Sequence, residues 1–255
     1  MSEVIETSLP QSLRNHWWWR PGWAEGRHFY ACHLTLNDQP QLRELVAEYQ
    51  KALTGVQGID LIPPQWLHLT MQGIGFTDEI DADELAALDH ALTAELATIE
   101  PPAAQFRYLT VRPEAIYLKA HPAAVLYPLR QKMHEAVISV LGRDRFTEPA
   151  PDYAQFLPHV SIGYINRDGE AEPIAAALSG LAVRTVEATF TKADLLEFHR
   201  DHRMYEWTSA TPIQIGRSTT SPLAVTLLLV SSRAGPLVAG VRPGRGVLDL
   251  TLTGR

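Results

Sequence analysis

Cysteine is almost absent from this chain: Cys32 is the only one in 255 residues. An internal disulfide and a cysteine metal cage are therefore excluded. Its setting, Phe29-Tyr30-Ala31-Cys32, is apolar, which predicts a buried structural thiol rather than a nucleophile. No apolar run reaches membrane-spanning length, and the first residues carry no basic, apolar, small-residue signal pattern. A cytoplasmic protein with no membrane partner is expected. Positive charge is also scarce: 22 Lys and Arg stand against 29 Asp and Glu, a net charge of −7. Gripping a long duplex takes many cationic phosphate contacts, so that partner is disfavoured, whereas a small phosphate ester or one nucleic-acid end is not. Familiar catalytic signatures are missing too. There is no His-Glu-x-x-His, no Gly-x-Ser-x-Gly and no glycine fingerprint of a Rossmann or P-loop site.

What is present is an alternation of strand-like and helix-like segments, the pattern of an α/β or α+β domain. Residues 1–26 read as an arm holding Trp17-Trp18-Trp19-Arg20-Pro21-Gly22-Trp23. Four tryptophans so close together are expected to pack on the domain, with a lid or base-stacking role as the alternative. A first strand is predicted over Arg27–Leu36. A helix capped by Asp38 follows, with the stripe Leu42, Leu45, Val46, Tyr49 and Leu53. A strand is predicted over Leu61–Phe76, its start weakened by Pro63-Pro64, then a helix over Asp81–Ile99. Two strands, Phe106–Val111 and Ala115–Ala120, precede a helix over Ala123–Leu141 that ends at Gly142. An acidic loop over Arg143–Gln155 leads to a strand over Pro158–Ile165 and a short helix over Glu172–Leu178. Val183–Glu197 and Arg203–Ile213 read as strands, a hairpin turning near Arg200-Asp201. The order is strand, helix, strand, helix, given twice, and residues 27–215 are read as one domain. From Gly216 the composition shifts: five arginines accompany a single acid, Asp249, among recurrent glycine and proline. This stretch reads as a flexible appendage, with Leu223–Val230 alone strand-like.

Two segments in this pattern carry chemistry, Trp66-Leu67-His68-Leu69-Thr70 and Leu157-Pro158-His159-Val160-Ser161. Strand side chains alternate faces. His68 and Thr70 thus share one face, with Leu67, Leu69 and Met71 opposite; His159 and Ser161 repeat the arrangement. Opening a cyclic phosphate needs a base to take a proton from water and an acid to protonate the leaving ribose oxygen. Histidine titrates near neutrality, so one imidazole can serve as base while its partner is protonated, the roles exchanging for the reverse ligation. Thr70 and Ser161 can donate hydrogen bonds to the non-bridging oxygens. This chemistry requires no metal and no other cofactor, because the protonated imidazole supplies the positive charge.

With these two His-x-hydroxyl motifs in matching contexts, the chain resembles the 2H phosphoesterase superfamily, in particular its 2′-5′ RNA ligase-like and cyclic phosphodiesterase branch. The resemblance spans about Arg27 to Ile213. It implies an α+β fold of two pseudo-symmetric lobes, with antiparallel-rich sheets flanking a central cleft and helices outside, each lobe contributing one motif. It further implies catalytic His68 and His159, phosphate-binding Thr70 and Ser161, and a nucleotide or RNA-end phosphate ester as ligand. Some relatives carry an aromatic residue or arginine three positions past the second hydroxyl, which makes Tyr164 a candidate phosphate contact. Where this chain departs from the pattern is at Met71-Gln72-Gly73, which brings no basic residue near Thr70.

Other residues are candidates on position alone. Trp66 shares the parity of His68 and can wall the pocket or stack on a base. His33, on the first strand, is a possible auxiliary ligand. Lys119 and Arg130 read as solvated charges before phosphate ligands. The expected activity is metal-independent hydrolysis of 2′,3′-cyclic phosphates on nucleotides or RNA ends by a monomer, in RNA processing. The alternatives are 2′-5′ RNA ligation and a non-catalytic nucleotide-binding module. A metal hydrolase built on His199-Arg200-Asp201-His202 or His134-Glu135 is disfavoured, since His199 and His202 fall in a polar turn.

Overall fold

The structure, a computed structural model, describes residues 4–5, 8–146 and 156–217. Nine strands and four helices follow in the order β1 (Phe29–Thr35), α1 (Pro40–Leu53), β2 (Ile59–Leu61), β3 (His68–Phe76), α2 (Ala82–Leu96), β4 (Ala103–Val111), β5 (Ala115–His121), α3 (Tyr127–Leu141), β6 (His159–Ile165), α4 (Glu172–Leu178), β7 (Val186–Thr189), β8 (Lys192–His199) and β9 (Glu206–Gln214). The fold is α+β, as expected. All strand pairs are antiparallel, and the sheet runs β7-β4-β5-β6-β3-β1-β8-β9, with β2 also on β6.

The two lobes meet at a narrow seam. Only Leu69 and Val160 pair between β3 and β6, whereas the neighbouring β1–β3 and β5–β6 ladders are extensive. The lobes are not the two halves of the sequence. α1, from the first half, packs on α4 and β7, whereas α2 and α3 pack together, touching β9 and β3 respectively. The last hairpin, β8–β9, returns to β1. Each lobe is thus built from both halves of the chain, so the repeat in sequence becomes an interlocked pair in space.

Local chemistry accounts for the boundaries. α1 buries the stripe Leu42, Leu45, Val46, Tyr49 and Leu53. Its cap differs from expectation. Gln39, not Asp38, holds the cap position without a side-chain bond, and Pro40 starts the first turn with φ already set. α2 opens on a capping box between Asp81 and Glu84. The expected Leu61–Phe76 strand is interrupted. Pro63 and Pro64 lack N–H donors for a ladder, and Pro64–Trp66 forms a 3-10 turn between β2 and β3. A similar turn over Ala123–Leu126 precedes α3, whose end is set by Gly142 at φ 73°. Val183–Glu197 is not one strand either. Buried Phe190 separates β7 from β8, which lie toward opposite ends of the sheet.

The arm packs on this body over residues 8–26. Leu13 exchanges backbone hydrogen bonds with Gly169, and the His16 N–H donates to the Ile165 carbonyl. Trp17 is half-buried and donates from its indole to Asp60, whereas Trp18 and Trp19 stay exposed. Cys32 is fully buried and burial pushes its thiol up, so it remains protonated, as expected for a structural thiol. No helix among the described residues is long and apolar enough to cross a membrane. The appendage from 218 onward, with its strand-like 223–230 stretch, and residues 147–155 of the acidic loop lie outside the described residues.

Candidate active site

Leu69 and Val160 are wholly buried on the helix-covered side of the seam. Antiparallel register then fixes their neighbours: His68 comes opposite Ser161, and Thr70 opposite His159. All four side chains line one cavity of about 480 Å³ on the other face. Each imidazole is anchored in the same way. His68 Nδ1 lies 2.9 Å from the Trp66 carbonyl, and His159 Nδ1 lies 2.7 Å from the Leu157 carbonyl. A carbonyl only accepts, so each Nδ1 carries the proton and each Nε2 is left for a ligand. Burial holds both imidazoles below the ordinary histidine range, opposed by those carbonyl bonds; the neighbouring His159 lowers His68 further.

Tyr164 reaches the cavity by a device that strict alternation does not foresee. In the β5–β6 ladder Tyr117 pairs with Ser161 and Ile116 with Gly163, so Ile162 is an extra residue. This bulge turns Tyr164 onto the face of Ser161. Gly163 belongs to the same device: a Cβ there would meet Ile59 Cγ2 at 2.9 Å. Tyr164 is buried in a stack with His16, ring centroids 4.3 Å apart, and burial pushes its phenol up, so it stays neutral. His33 also lines the cavity, and burial lowers it to about 3.

Trp66 is not brought into the cavity. The 3-10 turn carries it off the strand, its ring meets Trp207 edge-on at 4.7 Å, and Trp207 is the lining residue. Lys119 and Arg130 do not line this cavity either; Arg130 lies over the Phe156 ring.

Several lining residues were not singled out as site candidates, although a lid or base-stacking role was the alternative for the arm's tryptophans. His16, Arg20 and Trp23 come from the arm, Arg112 and Glu114 from the β4–β5 turn, and Tyr205 lies just before β9. Arg20 donates to Glu114 at 3.0 Å, and Arg112 donates to the hydroxyl of Tyr117, whose ring lies 4.2 Å from that of His159. Although no basic residue neighbours Thr70 in sequence, two arginines and a single carboxylate among the described residues share its cavity. The signal for the arm was its density of Trp and Arg; nothing local marked Arg112 or Tyr205. Buried Arg200 binds arm and hairpin together. It lies over the rings of Trp17, Trp23 and Tyr205 and donates to the His16 carbonyl.

Elsewhere, ligand atoms of His199, His202 and Glu206 lie within 4.8 Å of one another at the β8–β9 turn, away from the histidine pair's cavity lining.

The family described as the 2′-5′ RNA ligase superfamily matches residues 38–202. The chain belongs to this superfamily. Solved structures agree on the fold. TT0787 of Thermus thermophilus is 22% identical with a TM-score of 0.54, covering 75% of this chain and 99% of that one. E. coli LigT complexed with NADP+ is 11% identical with a TM-score of 0.51, again over 75% and 99%. Among curated proteins, none matches the chain. The family match leaves out the arm, which supplies three of the lining residues named above.

Proposed function

We propose that this 2′-5′ RNA ligase superfamily member is a metal-independent phosphoesterase that opens 2′,3′-cyclic phosphates on nucleotides or RNA ends. The observation that carries the reading is the crossed arrangement at the seam. Two imidazoles with matching Nδ1 anchors each face the hydroxyl of the other motif across one cavity. His68 and His159 are the catalytic pair in this reading, and Thr70 and Ser161 bind the phosphate.

One neutral Nε2 takes a proton from water as the water oxygen bonds to phosphorus. The P–O bond to one ribose oxygen breaks, and the other imidazole, protonated at Nε2, gives that oxygen its proton. The product is a nucleoside 2′- or 3′-monophosphate. Thr70 and Ser161 donate to the non-bridging oxygens as charge builds on them. Arg20 and Arg112 offset the phosphate charge, and Trp23, Tyr205 and Trp207 give a base or ribose an aromatic wall. The nucleotide in the E. coli LigT complex supports this ligand class. The parallel ring opening, in which a ribose 5′-hydroxyl replaces water as nucleophile and the 3′-oxygen leaves protonated, gives a 2′-5′ linkage, and the superfamily description favours this ligation as the second reading.

Both motifs lie in one chain, so a monomer suffices, with residues 27–215 as the catalytic domain and the arm closing one side. A turnover screen of cyclic mononucleotides, 2′-5′ oligonucleotides and RNA ends tests the proposal, with a His68→Ala, His159→Ala double variant as blank. Hydrolysis of 2′,3′-cyclic phosphates above the blank is the expected result. Nucleotide binding with no turnover of any substrate would instead favour a binding module.

A further inference from the structure

The turn that joins β8 to β9 gathers a second group of metal-ligating side chains. His199 ends β8 and Glu206 begins β9, and the hairpin register pairs them directly, which sets their Cβ atoms about 5 Å apart on one face. Their neighbours Phe198 and Trp207 point to the opposite face, where they line the cavity of His68 and His159. His202, in the turn itself, folds back over this first rung. Its Nδ1 lies 2.6 Å from Glu206 Oε2, and its ring meets that of His199 edge-on with centroids 5.6 Å apart. One ligand atom from each of His199, His202 and Glu206 lies within 4.8 Å of the others. None of the three lines the cavity of the histidine pair.

The surroundings favour a cation here. Asp201 stands beside His199, its Oδ2 3.6 Å from Nδ1, and its Oδ1 accepts from the Gly26 N–H at 3.0 Å. His28 brings a further carboxylate to this side: its ring lies 5.1 Å from that of His199, and its Nδ1 lies 2.7 Å from Glu197 Oε1. The two arginines of the turn face elsewhere. Buried Arg200 lies over the rings of Trp17, Trp23 and Tyr205, and Arg203 reaches Asp60 and the Asn166 carbonyl. Arg203 holds φ at 56°, the one positive value at a non-glycine residue among those described. Strain of that kind persists only where the surroundings impose it, and here it closes the turn that sets His202 against Glu206.

We infer that His199, His202 and Glu206, with Asp201 as fourth ligand, form a binding site for one zinc-class divalent ion, separate from the histidine pair. Two imidazoles with carboxylates are a donor set that such ions prefer, whereas magnesium and calcium take almost entirely oxygen ligands. Ligand atoms on a tetrahedral zinc stand roughly 3.4 Å apart, so closing the site takes side-chain movements of about 1 Å, which the mostly exposed His202 supplies. Four protein ligands close the shell, which makes the ion structural. It ties the end of β8 to the start of β9 around a turn whose Tyr205 lines the cavity and whose Asp201 holds the arm at Gly26. The ion thus braces the cavity wall and takes no part in phosphate chemistry, and the inference does not depend on the phosphoesterase reading.

The test titrates zinc chloride into the chelator-treated full chain carrying His68→Ala and His159→Ala, which removes the cavity imidazoles as competing ligands. Calorimetry is expected to show one ion bound per chain, and magnesium chloride to give no binding. Adding His202→Ala, a substitution in the exposed part of the turn, should weaken zinc binding by more than about tenfold, and Glu206→Gln, which keeps the side-chain shape, should do the same. Zinc should also raise the melting temperature of the parent, because it binds the folded state alone, and the rise should disappear with His202→Ala. No zinc binding by the parent, or the same affinity and the same thermal shift with and without His202 and Glu206, overturns the site. Cyclic phosphate turnover enters none of these readouts, so failure of this site and failure of the phosphoesterase reading are told apart.

Discussion

His33 lies flat against His68, the ring centroids 5.4 Å apart and the planes 6° from parallel. Burial holds His33 to about 3, and it holds His68 and His159 below the ordinary value of 6.5 as well. Near pH 7 the free protein therefore carries three neutral imidazoles at the centre of the cavity. Acid–base hydrolysis needs one proton on the His68–His159 pair, and mutual repulsion disfavours two. Falling pH adds the first proton and creates the active form; a further fall adds the second and removes the base. We expect a bell-shaped kcat/KM profile with its maximum below pH 6.5, measured on a cyclic phosphate with chemistry rate-limiting. A flat profile between pH 5 and 8 would contradict paired imidazoles.

Removing either imidazole should be costly. His68→Ala and His159→Ala are each expected to lower kcat by roughly 10² to 10⁴, the usual contribution of a general acid or base. Because Leu69 and Val160 hold the seam and both histidines line the cavity, both variants should retain a cooperative thermal transition. Near-normal turnover in either folded variant would remove that histidine from the mechanism.

The fate of individual residues explains what the sequence disclosed. His68, Thr70, His159 and Ser161 were legible because period-two alternation in apolar strands is a strong local signal, and pairing of the two strands brings them into one cavity. The buried stripe of α1 was legible for the same reason at helical period. Trp66 was misplaced because two prolines convert its strand into a turn, a backbone effect that outranks parity. Tyr164 reached the cavity through a bulge that is defined only by register with β5. Arg20, Arg112 and Tyr205 converge from arm, turn and hairpin, and no local pattern encodes that convergence. The swap of α1 onto α4 and β7 is equally invisible to a linear repeat.

The two hydroxyls should behave as phosphate donors. Thr70→Val keeps the shape of a β-branched side chain and removes the donor; Ser161→Ala does the same with little change in volume. Each is expected to reduce kcat by about 10² to 10³, the range for losing one donor to a developing oxyanion. Thr70 is exposed to the cavity, so its substitution should leave the melting temperature unchanged. A change in stability with unaltered kcat would make these hydroxyls structural.

Acid should loosen the arm. His16 is buried between Tyr164 and Trp17, and burial, with Arg20 and Arg200 nearby, lowers it to about 3. In the unfolded chain the same imidazole takes its proton near 6.5. Below that pH the unfolded state binds more protons than the folded one, so stability falls as pH falls. The contribution of His16 is fully present above pH 6.5 and is lost progressively down to about 3. His33 follows the same sign and window. Each such group contributes a slope of about 1.4 kcal/mol per pH unit within the window. Urea denaturation midpoints taken between pH 7 and 4 should fall steadily in the wild type. His16→Gln, which retains hydrogen-bonding capacity without titrating, should flatten that dependence, and an identical slope in the variant would show that His16 does not carry it.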